Sequence, residues 1–195
     1  TAICKEGFGR SVTTILHRQA LIIRFEKLRK HRSHLSSKKI RMNEKNTTKD
    51  YWNNLYEVSE IDWDIGYPSP ALANYLDQIE NKEIKILIPG SGNSYEAEYL
   101  LSNSFGDITL IDIAPLLTEQ LKLKFKGVLG TKIHIITGDF FEHEGRYDLI
   151  LEQTFFSTLD PSLRESYTEK MCRLLNPAGK LVGVLFSRHF EESPP

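Results

Sequence analysis

An α/β fold built on a mostly parallel sheet is predicted by three features of this chain. Short apolar runs alternate with segments of helical spacing through most of its length, the pattern of successive βαβ units. The first run, Ile84-Lys85-Ile86-Leu87-Ile88, breaks into Pro89-Gly90-Ser91-Gly92, and glycines at a strand end let a ligand approach backbone that carries no Cβ. Twenty residues after Gly92, at the end of the second apolar run, stands Asp112, placed to accept hydrogen bonds from both hydroxyls of a ribose. Together these features put a nucleoside-containing ligand at the carboxyl edge of the sheet.

The elements follow in order. Residues 51–58 read as a short aromatic helix. Ser69-Pro70 offers an N-cap with proline at the first helical position, and Leu72, Leu76 and Ile79 carry one face of the helix it starts. A strand over 84–88 leads to a helix around 95–101, a strand over 108–113 and a helix around 116–125. The third strand, 132–137, is closed by Gly138-Asp139, and 147–153 is a fourth. Asp160-Pro161 starts a helix whose inner side carries Leu163, Tyr167, Met171 and Leu174. Asn176-Pro177-Ala178-Gly179 ends that helix, and 180–186 reads as a fifth strand. No internal repeat or low-complexity tract interrupts the alternation.

Length and composition bound the function. At 195 residues, with 40% hydrophobic and 26% charged residues, the chain is long enough for one domain with a substantial core. No apolar run approaches the roughly 20 residues that span a bilayer. Cys4 and Cys172 are the two cysteines, far apart, which does not suggest a disulfide framework and fits a cytoplasmic protein. The net charge of −1 conceals a division. Residues 1–41 hold 11 Lys and Arg against 2 acidic residues, while the rest hold 14 against 24, balances of +9 and −10. The shift falls at Met42. An organelle-targeting peptide, a basic arm for nucleic acid or membrane surfaces, and upstream sequence without an evolved role all remain open for 1–41. The last is preferred, with a domain over 42–195, because the composition changes at a methionine. His31 and His34 lack further ligands nearby and are not read as a metal site.

The glycine loop discriminates between cofactors. Dinucleotide folds want a third glycine in Gly-x-Gly-x-x-Gly so that the helix can pack closely over a pyrophosphate. Tyr95 stands there instead, and the loop carries no basic residue. A P-loop is excluded because no Gly-Lys-Ser/Thr occurs. S-adenosylmethionine has no phosphate and fits better. Gly138-Asp139-Phe140 at the end of the third strand adds a carboxylate for an adenine amino group and a ring to pack against adenine. Upstream, Trp52, Tyr56 and Trp63 form an aromatic cluster suited to a lid, where ring faces attract a sulfonium cation by roughly 0.5–2 kcal/mol.

Several of these residues fall into a pattern. Trp52-x-x-x-Tyr56, Asp62-Trp63-Asp64-x-Gly66-x-x-Ser69-Pro70 and Pro89-Gly90-Ser91-Gly92 resemble the thiopurine S-methyltransferase family, which includes plant-type halide and thiol methyltransferases. Asp148-Leu149-Ile150-Leu151-Glu152-Gln153-Thr154-Phe155-Phe156 and Leu174-Leu175-Asn176-Pro177-x-Gly179 agree with it. The resemblance runs from about residue 51 to 195. It implies a Rossmann-like methyltransferase fold of seven strands with helices on both faces and an N-terminal lid. It also implies that Trp52 and Trp63 border the cofactor, with Tyr56 where many members carry a second tryptophan. Gly90 and Gly92 would hold the methionine part, Asp112 and Ile113 the ribose, Asp139 and Phe140 the adenine, and Gln153 or Thr154 would lie beside the methyl donor. The expected sixth and seventh strands do not follow the fifth, so a C-terminally truncated domain is expected.

The implied function is methyl transfer from S-adenosylmethionine to a small thiol, thiopurine or halide. Such acceptors need little or no proton removal, so no catalytic residue and no metal site is assigned. Alignment and water exclusion would carry the rate. His134, His143 and Cys172 read as structural, and Glu152 as a residue behind the cavity wall rather than a base. The partner is a small-molecule methyl acceptor, with no nucleic acid or membrane partner, and the protein is expected to be a monomer. A fragment that binds the nucleoside without turning it over is the alternative, followed by a nicotinamide-dependent oxidoreductase.

Overall fold

The computed structural model describes residues 48–185. The basic segment 1–41, Met42, the histidines at 31 and 34, and the end of the expected fifth strand at Phe186 lie outside the described residues. What is described is a five-stranded sheet with helices on both sides.

The strands are β1 (Ile86–Pro89), β2 (Ile108–Asp112), β3 (Ile133–Thr137), β4 (Tyr147–Gln153) and β5 (Leu175–Val184). Their order is β3-β2-β1-β4-β5, and every pairing is parallel. Parallel neighbours need crossover connections, and the helices supply them: α3 (Tyr95–Ser102), α4 (Pro115–Lys124), α5 (Phe155–Thr158) and α6 (Arg164–Leu174). Two helices precede the sheet, α1 (Lys49–Glu57) and α2 (Pro70–Leu76). The chain order reverses between β1 and β4, and at such a switch point the carboxyl ends of the strands part into a crevice.

Alternating side chains divide the core in two. Ile86, Ile88, Ile108, Leu110, Leu149 and Leu151 face one layer, where Leu72 and Leu76 of α2, Leu100 of α3 and Leu117 and Leu121 of α4 pack on them. Leu87, Ile111 and Ile150 face the other, against Tyr167, Met171 and Leu174 of α6. β1 and β2 are buried at every position, which is why they read as continuous apolar runs rather than alternating ones.

Local details differ from expectation for identifiable reasons. Ser69 occupies the N-cap of α2, but its hydroxyl makes no capping bond; its N–H donates instead to Glu96 Oε1 at 2.8 Å. Asp160 accepts from Ser162 N–H at 2.9 Å and starts a single 3-10 turn, Pro161–Leu163, ahead of α6. After α6, Leu175 already pairs with Tyr147; residues 176–179 then bulge from the ladder, with Ala178 at φ +66°, and pairing resumes at Leu149↔Lys180. Gly179 permits the bulge, since a Cβ there would lie 2.9 Å from the Tyr147 carbonyl oxygen.

Candidate functional site

A cavity opens over the carboxyl ends of β1, β2 and β4, as the switch point requires. All eleven site residues expected from the sequence line it: Trp52, Tyr56, Trp63, Gly90, Gly92, Asp112, Ile113, Asp139, Phe140, Gln153 and Thr154.

The floor is the β1–α3 loop. Gly90 and Gly92 have φ of +56° and +50°. At Gly90 an added Cβ would lie 2.8 Å from Phe155 Cγ, so this position must be glycine for the Phe155 ring to close over it. Asp112 stands opposite, almost fully buried. Its Oδ2 accepts from Gly92 N–H at 3.3 Å and its Oδ1 from Ala114 N–H at 3.0 Å. Burial pushes its carboxyl above the usual range, and the backbone N–H groups of Ala114, Gly92, Ile113 and Ser91 pull it back. The twenty-residue spacing therefore has a direct physical content: the carboxylate braces the glycine loop as well as facing the cavity.

The roof is the segment from α1 to α2. Trp63 meets Trp52 and Tyr56 edge-on, with ring centroids 5.6 and 6.1 Å apart. Burial, and then the nearby Asp112 carboxylate, raise the Tyr56 phenol and keep it protonated. Four hydrogen bonds tie this roof to the β1–α3 loop, α3 and α4. Asn53 Oδ1 accepts from Leu116 N–H at 2.8 Å, Asp64 Oδ2 accepts from the Asn93 amide and from Tyr95 hydroxyl at 3.3 Å, and Glu96 accepts from Ser69. Asp64 also holds its own turn through Gly66 N–H at 2.6 Å. Tyr95 thus explains itself at the place of a third glycine. Its ring turns outward to Asp64 and beneath the Lys124 ammonium, 5.1 Å from the centroid, and does not crowd the sheet.

The walls come from the ends of β3 and β4. Asp139 lies exposed at the rim and accepts from Phe141 N–H at 2.8 Å, capping a 3-10 turn. Phe140 lines the cavity, but its ring is 4% exposed and packs edge-on to Phe141 and Phe155, which leaves it little face to offer. Thr154 begins the β4–α5 turn at φ +65°. Neither His134 nor His143 lines the cavity: the first is exposed on β3, the second buried with Nε2 2.8 Å from the Tyr147 hydroxyl. Asp64 and Glu96 line it as well, and their part was not foreseen; the acidic pair flanking Trp63 and the glutamate in the first turn after the glycine loop were the available signals.

The lining carries four carboxylates, Asp64, Glu96, Asp112 and Asp139, and no Lys, Arg or His among the described residues. That set suits a cationic or neutral nucleoside and gives a pyrophosphate nothing to pair with. Two buried polar atoms on the wall, Ser91 Oγ and Gln153 Oε1, lack a hydrogen-bond partner, as groups awaiting a polar ligand do. The residues present therefore fit S-adenosylmethionine.

Comparison with known proteins points the same way. The model of the family described as thiopurine S-methyltransferase matches residues 47–195. A probable thiol methyltransferase 2 of Arabidopsis thaliana is 28% identical over 138 residues, covering 69% of this chain and 61% of that protein. A thiopurine S-methyltransferase of Nitrosospira multiformis is 24% identical over 156 residues, covering 71% and 70%. The chain spans about three fifths of the length of the first of these relatives. Among solved structures, a 1,6-didemethyltoxoflavin-N1-methyltransferase of Burkholderia thailandensis with bound S-adenosylhomocysteine superposes with a TM-score of 0.57 at 17% identity, covering 69% of this chain and 59% of that one. Magnesium protoporphyrin IX methyltransferase of Synechocystis with bound S-adenosylmethionine gives 0.56 at 14%, covering 70% and 74%. These likenesses establish the fold as the Rossmann-like methyltransferase fold.

Proposed function

The chain belongs to the thiopurine S-methyltransferase family, and on that premise we propose that it binds S-adenosylmethionine in this cavity and methylates a small thiol, thiopurine or halide. The observation that carries the reading is one cavity that joins a glycine loop braced by Asp112 to an aromatic roof, with no basic residue among its described lining.

S-adenosylmethionine supplies a methyl group on a positively charged sulfur, open to in-line displacement. The chain's residues would bind and align it. Asp112 accepts from Gly92 N–H on one oxygen and from Ala114 N–H on the other, and a second lone pair on each oxygen would meet the ribose hydroxyls. Gly90 and Gly92 would present backbone to the methionine part, Gly90 with the Phe155 ring packed over it. Ile113 borders the ribose beside Asp112; Asp139 and Phe140 border the adenine, and Asp139 has acceptor capacity left for its amino group. Trp52, Tyr56 and Trp63 offer ring surfaces to the sulfonium and keep water out. Gln153 and Thr154 stand beside the reacting methyl, where the unpaired Gln153 Oε1 finds use.

Alignment alone can supply effective molarities of about 10⁵–10⁸ M, so a thiolate or halide requires no base. Methyl transfer assayed with iodide, hydrogen sulfide and an aromatic thiol tests the reading. Turnover of any one supports it, and labelled methyl reaching none of the three would overturn the choice of acceptor.

A further inference from the structure

Glu152 is the most deeply buried carboxylate of the described residues, 1% exposed near the end of β4. No basic side chain among the described residues pairs with it. Across the ladder it faces Gly183, where a Cβ would lie 2.9 Å from Glu152 Cβ and 3.0 Å from its Oε2. The glycine leaves the volume that the carboxylate fills. Oε1 accepts from Phe156 N–H at 2.7 Å, and Oε2 has no partner.

The group it holds is a strained one. Thr154 begins the β4–α5 turn at φ +65°, an uncommon conformation for a β-branched residue. The turn closes its other polar groups on itself: Ser157 N–H and Oγ donate to the Thr154 carbonyl, and Thr158 Oγ1 to that of Phe155. The bond to Glu152 ties it back to the strand. The same turn carries Gln153, Thr154, Phe155 and Ser157 to the cavity, with the Phe155 ring over Gly90.

We propose that Glu152 is a positioning residue: by accepting the Phe156 N–H, its carboxylate fixes the strained β4–α5 turn and so the wall against which cofactor and acceptor are held. The inference rests on the methyl-transfer reading for what the cavity holds, but not for the bond itself. An ionised acceptor binds an N–H about twice as strongly as a neutral one, so the carboxylate form holds the turn more firmly. Burial pushes the Glu152 carboxyl up to about 7, opposed by the Phe156 N–H, so the two forms exchange near neutral pH. Of the elements packed against it, α6 presents one titratable group, Tyr167, raised by burial and then by Glu152; β5 presents Gly183 and α5 presents phenylalanines.

The test follows the Phe156 amide resonance of the full chain from pH 5.5 to 8.5, in the natural protein and in Glu152→Gln. Alongside, S-adenosylhomocysteine is titrated into both and into Glu152→Ala. The amide is expected to move with a midpoint near 7 in the natural protein and stay still in Glu152→Gln. The affinity ratio of the natural protein to Glu152→Gln is expected to rise severalfold from pH 6 to pH 8, and Glu152→Ala to bind about tenfold more weakly at pH 8. An amide that does not move, or moves equally in Glu152→Gln, overturns the proposal. A moving amide with no ligand binding leaves Glu152 in its role and removes the methyltransferase reading; binding with a still amide does the reverse.

Discussion

Gly90 ties two segments of the site together through an atom it does not have. Its φ is +56°, and Phe155 fills the volume a Cβ would need. Gly90→Ala must either displace that ring or shift the loop, and the backbone strain alone costs about 1–3 kcal/mol. Chemical denaturation is expected to show a loss of at least that size, against little change for Gly106→Ala, where nothing lies within 4 Å. Glu152 makes a pH-dependent contribution of opposite character to its local one. Its carboxyl, ordinarily near 4.5, is pushed up to about 7, so the folded chain holds that proton more tightly than the unfolded chain. Folding is therefore favoured at low pH, and this contribution is lost as pH rises from about 4.5 to 7, by up to about 3 kcal/mol. Glu152→Gln is expected to melt higher than the natural protein at pH 8 and close to it at pH 5; equal shifts at both values would contradict the burial argument. Gly90 and Asp112 were legible in the sequence because their roles depend on local spacing. The burial of Glu152 was not, because it depends on Gly183 and Tyr167, which the fold brings from elsewhere.

The roof over the cavity is the element whose contribution can be isolated. Both tryptophans of the chain lie in it, and Asp64 fastens it to the glycine loop through Asn93 and Tyr95. Ring faces near a sulfonium favour the charged cofactor over its neutral thioether product by roughly 0.5–2 kcal/mol. Trp63→Ala is thus expected to weaken S-adenosylmethionine more than S-adenosylhomocysteine, by about 2- to 30-fold in the ratio of dissociation constants. An unchanged ratio would make the roof a packing element only. The aromatic cluster was legible as a lid candidate from its crowding into twelve residues. Its fastening was not, because an exposed-looking Asp64 gives no sign of reaching Asn93, 29 positions away. The first four strands were legible to within two residues, because buried strands read as continuous apolar runs; the fifth begins at Leu175, five residues before the apolar run that marked it, because 176–179 bulge from the ladder instead of ending the helix. The short helix α5 was missed, because four residues with local hydrogen bonds leave no periodic pattern.

At the scale of the molecule, the order β3-β2-β1-β4-β5 brings the carboxyl ends of β1, β2 and β4 and the loops after them to one sheet edge, beneath the roof that precedes β1. Parallel connections made this architecture legible from the alternation of strands and helices, although strand order itself leaves no mark in composition. The charge division between residues 1–41 and the rest falls at a methionine, and among the described residues the cavity lining begins at Trp52. Removing 1–41 is accordingly expected to leave cofactor affinity unchanged, and a clear loss on titration would assign that segment a part in binding. The central claim, that the glycine loop and Asp112 hold the nucleoside of S-adenosylmethionine, is tested most directly by calorimetric titration of S-adenosylhomocysteine and NADH into the natural protein and Asp112→Ala. Losing charge-assisted bonds to the ribose costs about 3 kcal/mol, or roughly a hundredfold. Micromolar binding of S-adenosylhomocysteine, weakened to that extent in Asp112→Ala, is the expected result; tight binding of NADH in its place would contradict it.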